Sequence, residues 1–287
     1  MKKESPMTQS ASTSECGDPV EPDALVRAGC EAADRGHLRE ALRLFEAAAL
    51  VGDGAAQLNL GNTYMQLGRR ADAAEAFRAA LAAGEPGAAY CLGRALEDLG
   101  EVEAAFEAYQ RAWADGDAKG AIGASWILGD RGRRIESFDL LRAAVEAGSD
   151  LAAGVLGVRL WEEERAREAE GLLARGLTLY PPTRPPLAEM YLEQGRAAEA
   201  LAVLREGTQA LEVECFLPMG NLLYEVADNS EAAEAAYRMG LSLGDANCRL
   251  NLALLLRATN REAEGMALLV AAVEAGDELA RKHMDME

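Results

Sequence analysis

Residues 54–68 read GAAQLNLGNTYMQLG and residues 86–100 read PGAAYCLGRALEDLG, and these two stretches decide the fold. Each places a glycine, Gly61 or Gly93, inside a segment of helical character, where glycine costs roughly 1 kcal/mol relative to alanine. The two glycines are 32 residues apart, and so are the glycines that end the two stretches. A fixed period of this size predicts an array of helical repeats.

The composition favours an all-α protein. Of the 287 residues, 49% are hydrophobic but only 5% are aromatic, and 58 are alanine. Alanine is the strongest helix former, whereas the β-branched and aromatic clusters typical of strands are scarce. The core is therefore expected to consist of small and aliphatic side chains.

The charge argues against binding to nucleic acid or to an anionic membrane. The net charge is −19 and no concentrated basic face is visible, although binding to phosphates requires one.

No apolar run follows Lys2 and Lys3, and no stretch reaches the roughly 18 apolar residues of a membrane span. We expect a cytoplasmic protein with a disordered tail over residues 1–21. Arginine outnumbers lysine 25 to 4, which is typical of a GC-rich bacterial genome.

The cysteines indicate neither disulfides nor a zinc site, because they are odd in number, widely spaced and without a Cys-x-x-Cys pair. They are Cys16, Cys30, Cys91, Cys215 and Cys248. We expect them to be small hydrophobic residues in a reducing compartment, and we expect no metal or cofactor.

Units of 32 residues laid out from Pro22 give eight repeats, of which the fifth is one residue short and the seventh one residue long. The repeats are 22–53, 54–85, 86–117, 118–149, 150–180, 181–212, 213–245 and 246–277. Position 8 is small in every repeat: Gly29, Gly61, Gly93, Ser125, Gly157, Ala188, Gly220 and Ala253. Positions 20 and 27 are also small throughout. Position 24 is always large: Phe45, Phe77, Tyr109, Leu141, Leu173, Leu204, Tyr237 and Leu269.

This pattern predicts two antiparallel helices in each repeat. Two helices approach closely only where their side chains are small, and the large residue at position 24 needs a shallow surface to pack against. Position 15 is usually glycine, which suits a left-handed residue at the end of the first helix, but Glu164 and Ala227 break the pattern. Gly-Asp and Gly-Glu pairs such as Gly52-Asp53 are expected to turn the chain and cap the next helix.

The small residues at positions 8, 20 and 27, with a large residue at 24, leucine at 7 and tyrosine or leucine at 11, resemble the tetratricopeptide repeat. The resemblance covers residues 22–277 and implies a right-handed α-α superhelical solenoid of eight helix-turn-helix repeats, with residues 278–287 as a C-terminal capping segment. The unit is shorter than the family's usual length of about 34 residues. It also lacks the family's proline near its end in most repeats and the large aromatic residue at position 4.

The resemblance further implies that the first helix of each repeat lines a concave groove that binds a partner peptide or helix. Asparagine side chains bond to a peptide backbone, and aromatic rings bury its anchor residues. The candidate groove residues are Asn62, Tyr90, Arg94, Trp126, Asp130, Trp161, Glu162, Glu189, Glu193, Asn221 and Tyr224.

Position 13 is acidic in six of the eight repeats, although the helix dipole opposes an acidic group in a last turn. One interpretation is an acidic stripe that attracts a basic or amphipathic partner, with Trp126 and Trp161 as anchors. The alternative is a solvated charged face on an acidic protein. A carboxylate clamp is less favoured, because few basic residues are predicted to face inward; they are Arg27, Arg94, Lys119 and Arg257.

Four prolines between Pro181 and Pro186 interrupt the first helix of the sixth repeat. Proline removes backbone donors and biases the preceding residue away from the helix. We favour a shortened helix that starts near Pro186 over a hinge between repeats.

No catalytic constellation is found. The only histidines, His37 and His283, have no nearby cysteine or serine to activate, and no glycine-rich phosphate loop follows a strand. The sequence therefore predicts no enzyme and leaves two function classes. The first is a protein-binding adaptor or scaffold, and the second is a regulatory or structural subunit that acts through its outer surface or end-to-end self-association.

Overall fold

The computed structural model describes the backbone of residues 21–285 and side chains up to residue 284. Residues 1–20 of the predicted disordered tail lie outside this range. The described residues form seventeen α-helices and two short 3₁₀ turns, with no strand. The predicted all-α class and the architecture of packed helix pairs are confirmed. The described residues divide into two compact units, with the boundary between Gly120 and Ala121.

The first unit contains three helix pairs and the start of a fourth. Its helices are α1 (Pro22–Asp34), α2 (Leu38–Ala49), α3 (Gly54–Gln66), α4 (Arg70–Ala82), α5 (Ala88–Asp98) and α6 (Val102–Ala114), followed by the beginning of α7 (Ala118–Asp130).

The second unit contains the rest of α7 and the remaining helices. They are α8 (Arg134–Glu146), α9 (Asp150–Glu162), α10 (Ala166–Gly176), α11 (Arg184–Glu193), α12 (Ala197–Gln209), α13 (Phe216–Glu225), α14 (Ser230–Ser242), α15 (Cys248–Ala258), α16 (Glu262–Glu274) and α17 (Glu278–Asp285).

The close contact predicted at position 8 is confirmed. A Cβ built on Gly93 would lie 2.5 Å from the ring of Tyr109, and one built on Gly61 would collide with the ring of Phe77. All eight residues at position 24 are at most 2% exposed. The glycine in the first helix therefore makes room for the large side chain of the second helix in the same repeat, which explains why a poor helix former stands in a helix interior.

Each turn between paired helices contains a residue in the left-handed conformation, including the two turns where the sequence pattern of glycine breaks. Glu164 occupies the position 15 turn of the fifth repeat with a φ of 59°, so the backbone keeps the conformation that glycine adopts elsewhere. In the seventh repeat the left-handed residue is Asp228, with a φ of 48°, one position after Ala227. The extra residue in that repeat displaces the turn by one.

The predicted Gly-Asp cap is confirmed at Asp53, and Ser149, which lies outside that pattern, caps another helix. Asp53 accepts a hydrogen bond from the Ala56 amide at 2.9 Å, and Ser149 accepts one from the Ala152 amide at 3.1 Å. The Glu85 junction differs, because α5 begins only at Ala88, after the left-handed Gly87. The side chains of Asp53 and Ser149 thus accept hydrogen bonds from backbone amides that a helix N-terminus leaves without partners.

The proline cluster forms a 3₁₀ turn, Pro181–Thr183, and α11 then begins at Arg184, two residues before the predicted start. Proline is tolerated there because the first turn of a helix does not need its amide donors. At the other end of the second unit, Ala280 of α17 is buried against a cluster that includes Leu250, Ala253 and Leu269.

Candidate functional site

The candidate residues in the first unit lie on α3 and α5. Asn62 and Arg94 are exposed, whereas Tyr90 is half-buried. The ring of Tyr90 lies 5.8 Å from that of Tyr109, and the Lys119 ammonium lies 5.7 Å above the Tyr90 ring. Asn62 and Arg94 thus present polar groups to solvent, and Tyr90 is partly committed to internal packing.

In the second unit, Trp126 stacks on an arginine that sequence reasoning did not identify. The Arg159 guanidinium lies 3.8 Å from the Trp126 ring centroid, and Trp126 remains 43% exposed. Arg159 Nη1 donates to Ser137 Oγ at 2.6 Å, and Ser137 Oγ donates to the Ser125 carbonyl at 2.6 Å. Three polar residues from three helices therefore hold an exposed aromatic ring in place.

Arg159 was missed because it occupies repeat position 10, which points into the core. That position is buried and apolar in five other repeats: Ala95, Ile127, Met190, Leu222 and Leu255. A weak signal existed, because Ser125 and Ser137 are the serines at positions 8 and 20, which otherwise hold glycine or alanine. Burial lowers the pKa of Arg159, and the nearby charges of Glu162 and Asp130 oppose this shift.

The acidic residues of the predicted stripe are exposed, but they do not form a uniform set. Asp98 accepts a hydrogen bond from Arg70 of the preceding repeat at 3.2 Å, which offsets the unfavourable helix dipole at that position. Over residues 21–284, no ion pair within 4.0 Å involves Asp130, Glu162 or Glu193. These three carboxylates are free to meet a cationic group.

Two further candidate residues line a groove between α11 and α13, which we call the α11–α13 groove. Its residues are Pro185, Ala188, Glu189, Leu192, Leu204, Glu214, Leu217, Pro218, Asn221, Leu222, Glu225 and Val226, around a space of about 1040 Å³ that is partly open to solvent. The floor is apolar, and the only charged groups among these residues are the carboxylates of Glu189, Glu214 and Glu225. The structure thus brings Glu189 and Asn221 together.

The remaining candidates are partly engaged by their own fold. Trp161 is half-buried and packs against the core cluster that contains Leu156 and Leu160. Asn221 Oδ1 accepts hydrogen bonds from Tyr237 Oη and Asn251 Nδ2, both at 2.7 Å. The Asn221 carbonyl is therefore occupied, so Asn221 offers its amide group rather than its oxygen. Tyr224 is 37% exposed.

The cysteines in the described range are free thiols. Burial, together with nearby carboxylates, raises the pKa of Cys215 and that of Cys248 to about 12, so both thiols are protonated at neutral pH. Between residues 21 and 284, no three His, Cys, Asp or Glu side chains are grouped so that they could hold a metal ion. Nor does any helix in the described part of the chain combine the length and apolarity needed to span a bilayer.

Comparison with protein families identifies the repeat type. Residues 26–88 and 58–121 match the tetratricopeptide repeat. No curated protein matches the chain.

Solved structures with the same fold cover most of the chain. A Sel1 repeat protein from Oxalobacter formigenes is 16% identical and superposes with a TM-score of 0.60 over 98% of both chains. The Escherichia coli protective antigen c5321, which displays an SLR fold, is 20% identical, with a TM-score of 0.63 over 90% of this chain. The matched region is 62% of the antigen chain. A tetratricopeptide repeat protein from Parabacteroides merdae is 16% identical with a TM-score of 0.53, over 82% of this chain and 98% of that one. At these identities the likeness concerns the fold alone.

Proposed function

Because residues 26–121 match the tetratricopeptide repeat, we propose that this chain is a non-catalytic adaptor or scaffold that binds a partner protein through a peptide or helix. Arrays of helix pairs present extended surfaces, and such surfaces are suited to binding another polypeptide. The proposal agrees with the absence of any catalytic constellation in the sequence.

The observation that carries the proposal is the α11–α13 groove. Its apolar floor, formed by residues such as Leu192, Leu204 and Leu217, provides a surface that an apolar anchor can bury. Its charged residues are all acidic. Neither Glu189 nor Glu225 makes an ion pair within 4.0 Å in the described part of the chain.

The chemistry of this groove favours a basic, amphipathic partner. An amphipathic helix would place apolar side chains on the floor and lysine or arginine side chains against the rim carboxylates. Asp130, Glu162 and Glu193 would extend the attraction beyond the groove and accelerate encounter with a cationic segment. Tyr224 and the Trp126 ring would add aromatic contacts, and Asn62, Tyr90 and Arg94 would play the equivalent part in the first unit.

A binding assay with two designed peptides tests the proposal. The first peptide is an amphipathic helix with leucine on one face and lysine on the other, and the second carries glutamate in place of each lysine. We expect fluorescence anisotropy to show binding of the lysine peptide only. Raising salt to about 0.5 M should weaken that binding, because screening then acts within a few ångströms.

Matched variants separate the groove from the overall charge. Glu189→Lys with Glu225→Lys should abolish binding, whereas Glu206→Lys with Glu231→Lys, which changes two exposed residues of α12 and α14, should weaken it only slightly. Equal losses in the two double variants would show that net charge, and not the groove, drives association. Leu217→Glu should abolish binding without a comparable change in net charge.

A second candidate function, self-association, is favoured by one apolar surface. Leu201, Phe216, Met219, Leu223 and Met239 line a groove between α12, α13 and α14, and Met239 is 45% exposed. Light scattering over a range of concentrations discriminates the two functions. A constant monomer mass supports the adaptor, whereas a mass that rises with concentration and returns to the monomer value in Met239→Glu supports self-association.

A further inference from the structure

Half of the Arg159 guanidinium has no hydrogen-bond partner among the residues that the structure describes. Nη1 donates to Ser137 Oγ at 2.6 Å and to the Ser125 carbonyl at 3.4 Å, and one face of the group covers the Trp126 ring. Nε and Nη2 donate no hydrogen bond to any residue that the structure describes. The open edge, Nε with Nη2, carries two parallel N–H groups, which is the arrangement that binds a carboxylate at both oxygens.

A pocket lies beside this edge. Its space of about 560 Å³ is partly open to solvent and is lined by Gly129, Arg134, Ser137, Phe138, Arg159, Glu162 and Glu163; we call it the Arg159 pocket. Gly129 leaves the space open, since a Cβ built there would lie 3.8 Å from Nη2 in ordinary contact. A larger side chain at Gly129 would extend into the pocket.

The charges around the pocket favour a single negative charge. Arg134 pairs with Glu163, and Arg165 lies 3.7 Å from the same carboxylate, so Glu163 is neutralised. Arg142 and Arg165 line the adjoining pocket, which shares Arg134, Glu162 and Glu163 with the first. Arg142 also pairs with Asp139, and Arg165 with Glu168. Of the four arginines that line the two pockets, Arg159 is therefore the one that makes no ion pair within 4.0 Å among the described residues. Glu162 disfavours a dianion such as phosphate more strongly than a monoanion.

We propose that the Arg159 pocket binds a carboxylate group, held at both oxygens by Nε and Nη2 of Arg159 and supplied by a side chain or chain end of a partner. The bound carboxylate would accept hydrogen bonds from these two N–H groups, and charge-assisted bonds of this kind are strong. Ser125, Ser137 and Trp126 fix the orientation of the guanidinium. This site is separate from the α11–α13 groove, and its test does not require that groove to bind a peptide.

The test uses the full chain and sodium acetate as the probe, with sodium chloride keeping the ionic strength constant. The readout is the NMR signal of the Trp126 indole N–H, assigned with Trp126→Phe, because that ring lies against the guanidinium. We expect a saturable shift with acetate. Arg159→Lys should weaken binding by about tenfold, because an ammonium cannot form two parallel bonds to one carboxylate.

Two further variants fix the location. Gly129→Leu should remove the acetate shift by filling the pocket, and Arg159→Met should remove it by deleting the guanidinium. Gly129→Leu keeps the test valid if Arg159→Met fails to fold. Arg43→Met, which changes an exposed arginine of the first unit outside the candidate groove, should leave the shift intact. An acetate shift no larger than that of chloride, a saturable shift that survives both Gly129→Leu and Arg159→Met, or saturation by phosphate but not by acetate would each overturn the proposal.

Discussion

At the scale of single residues, a glycine in the interior of a helix can raise or lower stability, according to what its backbone contacts. Gly61 lies in the interior of α3 against the ring of Phe77, whereas Gly171 lies in the interior of α10 with open space around it. Both positions forgo the helix propensity of alanine. Only Gly61 gains a close helix contact in return.

We therefore expect Gly61→Ala to destabilise the protein by about 1–3 kcal/mol, because the new methyl group overpacks the ring contact. Gly171→Ala should stabilise it by up to about 1 kcal/mol through helix propensity alone. Urea denaturation of the two variants measures both effects. Stabilisation by both substitutions would show that the Phe77 ring moves aside without cost.

The left-handed turn at Glu164 holds a residue with a side chain where other repeats use glycine. Its φ of 59° is a conformation that costs a non-glycine residue about 1 kcal/mol or more. Glu164→Gly should raise the free energy of unfolding by about that amount. Asn260→Gly is the matched control: Asn260 has a φ of 62°, but asparagine tolerates this conformation, so the gain should be smaller. Equal gains would argue against backbone strain as the cause.

What the sequence predicted depended on repetition. The contact between positions 8 and 24 was predictable because eight repeats show it, and so was the left-handed turn at position 15. The role of Arg159 was not predictable, because arginine stands at position 10 in one repeat only. Its position is fixed by bonds to Ser125 and Ser137, which lie on other helices. Trp161 stays a predicted anchor. Its packing against a core cluster was not predictable either, because the repeat position alone does not report how deeply a side chain is buried.

At the scale of the helix, the second helix of most repeats begins with one recurring ion pair. An arginine at position 16 bonds to an acidic residue at position 19, in the first helical turn. The pairs are Arg69 with Asp72, Arg133 with Glu136, Arg165 with Glu168, Arg196 with Glu199, and Arg261 with Glu264. The carboxylate is also favoured there by the helix dipole. Each exposed pair contributes little alone, but the motif recurs in both units.

These pairs predict how stability depends on pH. Hydrogen bonds from arginine lower the pKa of Glu136, Glu168, Glu199 and Glu264 below the ordinary value of 4.5. The unfolded chain therefore binds protons more readily than the folded chain, so this contribution is present above pH 4.5 and is lost as the pH falls through the lower folded values. We expect the urea midpoint to drop between about pH 5 and pH 3.

A variant carrying Glu136→Gln, Glu168→Gln, Glu199→Gln and Glu264→Gln isolates the effect. Its urea midpoint should change less over the same pH range than that of the natural chain. An unchanged pH dependence would assign acid sensitivity to other carboxylates.

At the scale of the molecule, helices within each unit pack mainly on their neighbours in sequence. Stability in such an array is close to a sum of terms for each repeat and for each interface between adjacent repeats. A local defect is then expected to loosen the repeats beside it rather than a whole unit. Ala200 of α12 is a suitable place for such a defect, because it is fully buried in a cluster with Ala188, Leu204 and Cys215.

We expect Ala200→Leu to overpack this cluster and to lower the local free energy of unfolding by about 1–3 kcal/mol. Amide hydrogen exchange should then become roughly 10- to 100-fold faster in α11, α12 and α13. Exchange in α9 and α16 should change little, because those helices share no part of the cluster. Ala202→Leu, an exposed position of the same helix, should leave all of these rates close to those of the natural chain. Exchange that rises equally from α9 to α16 in Ala200→Leu would mean that the second unit opens as one cooperative body, and the additive description would not hold.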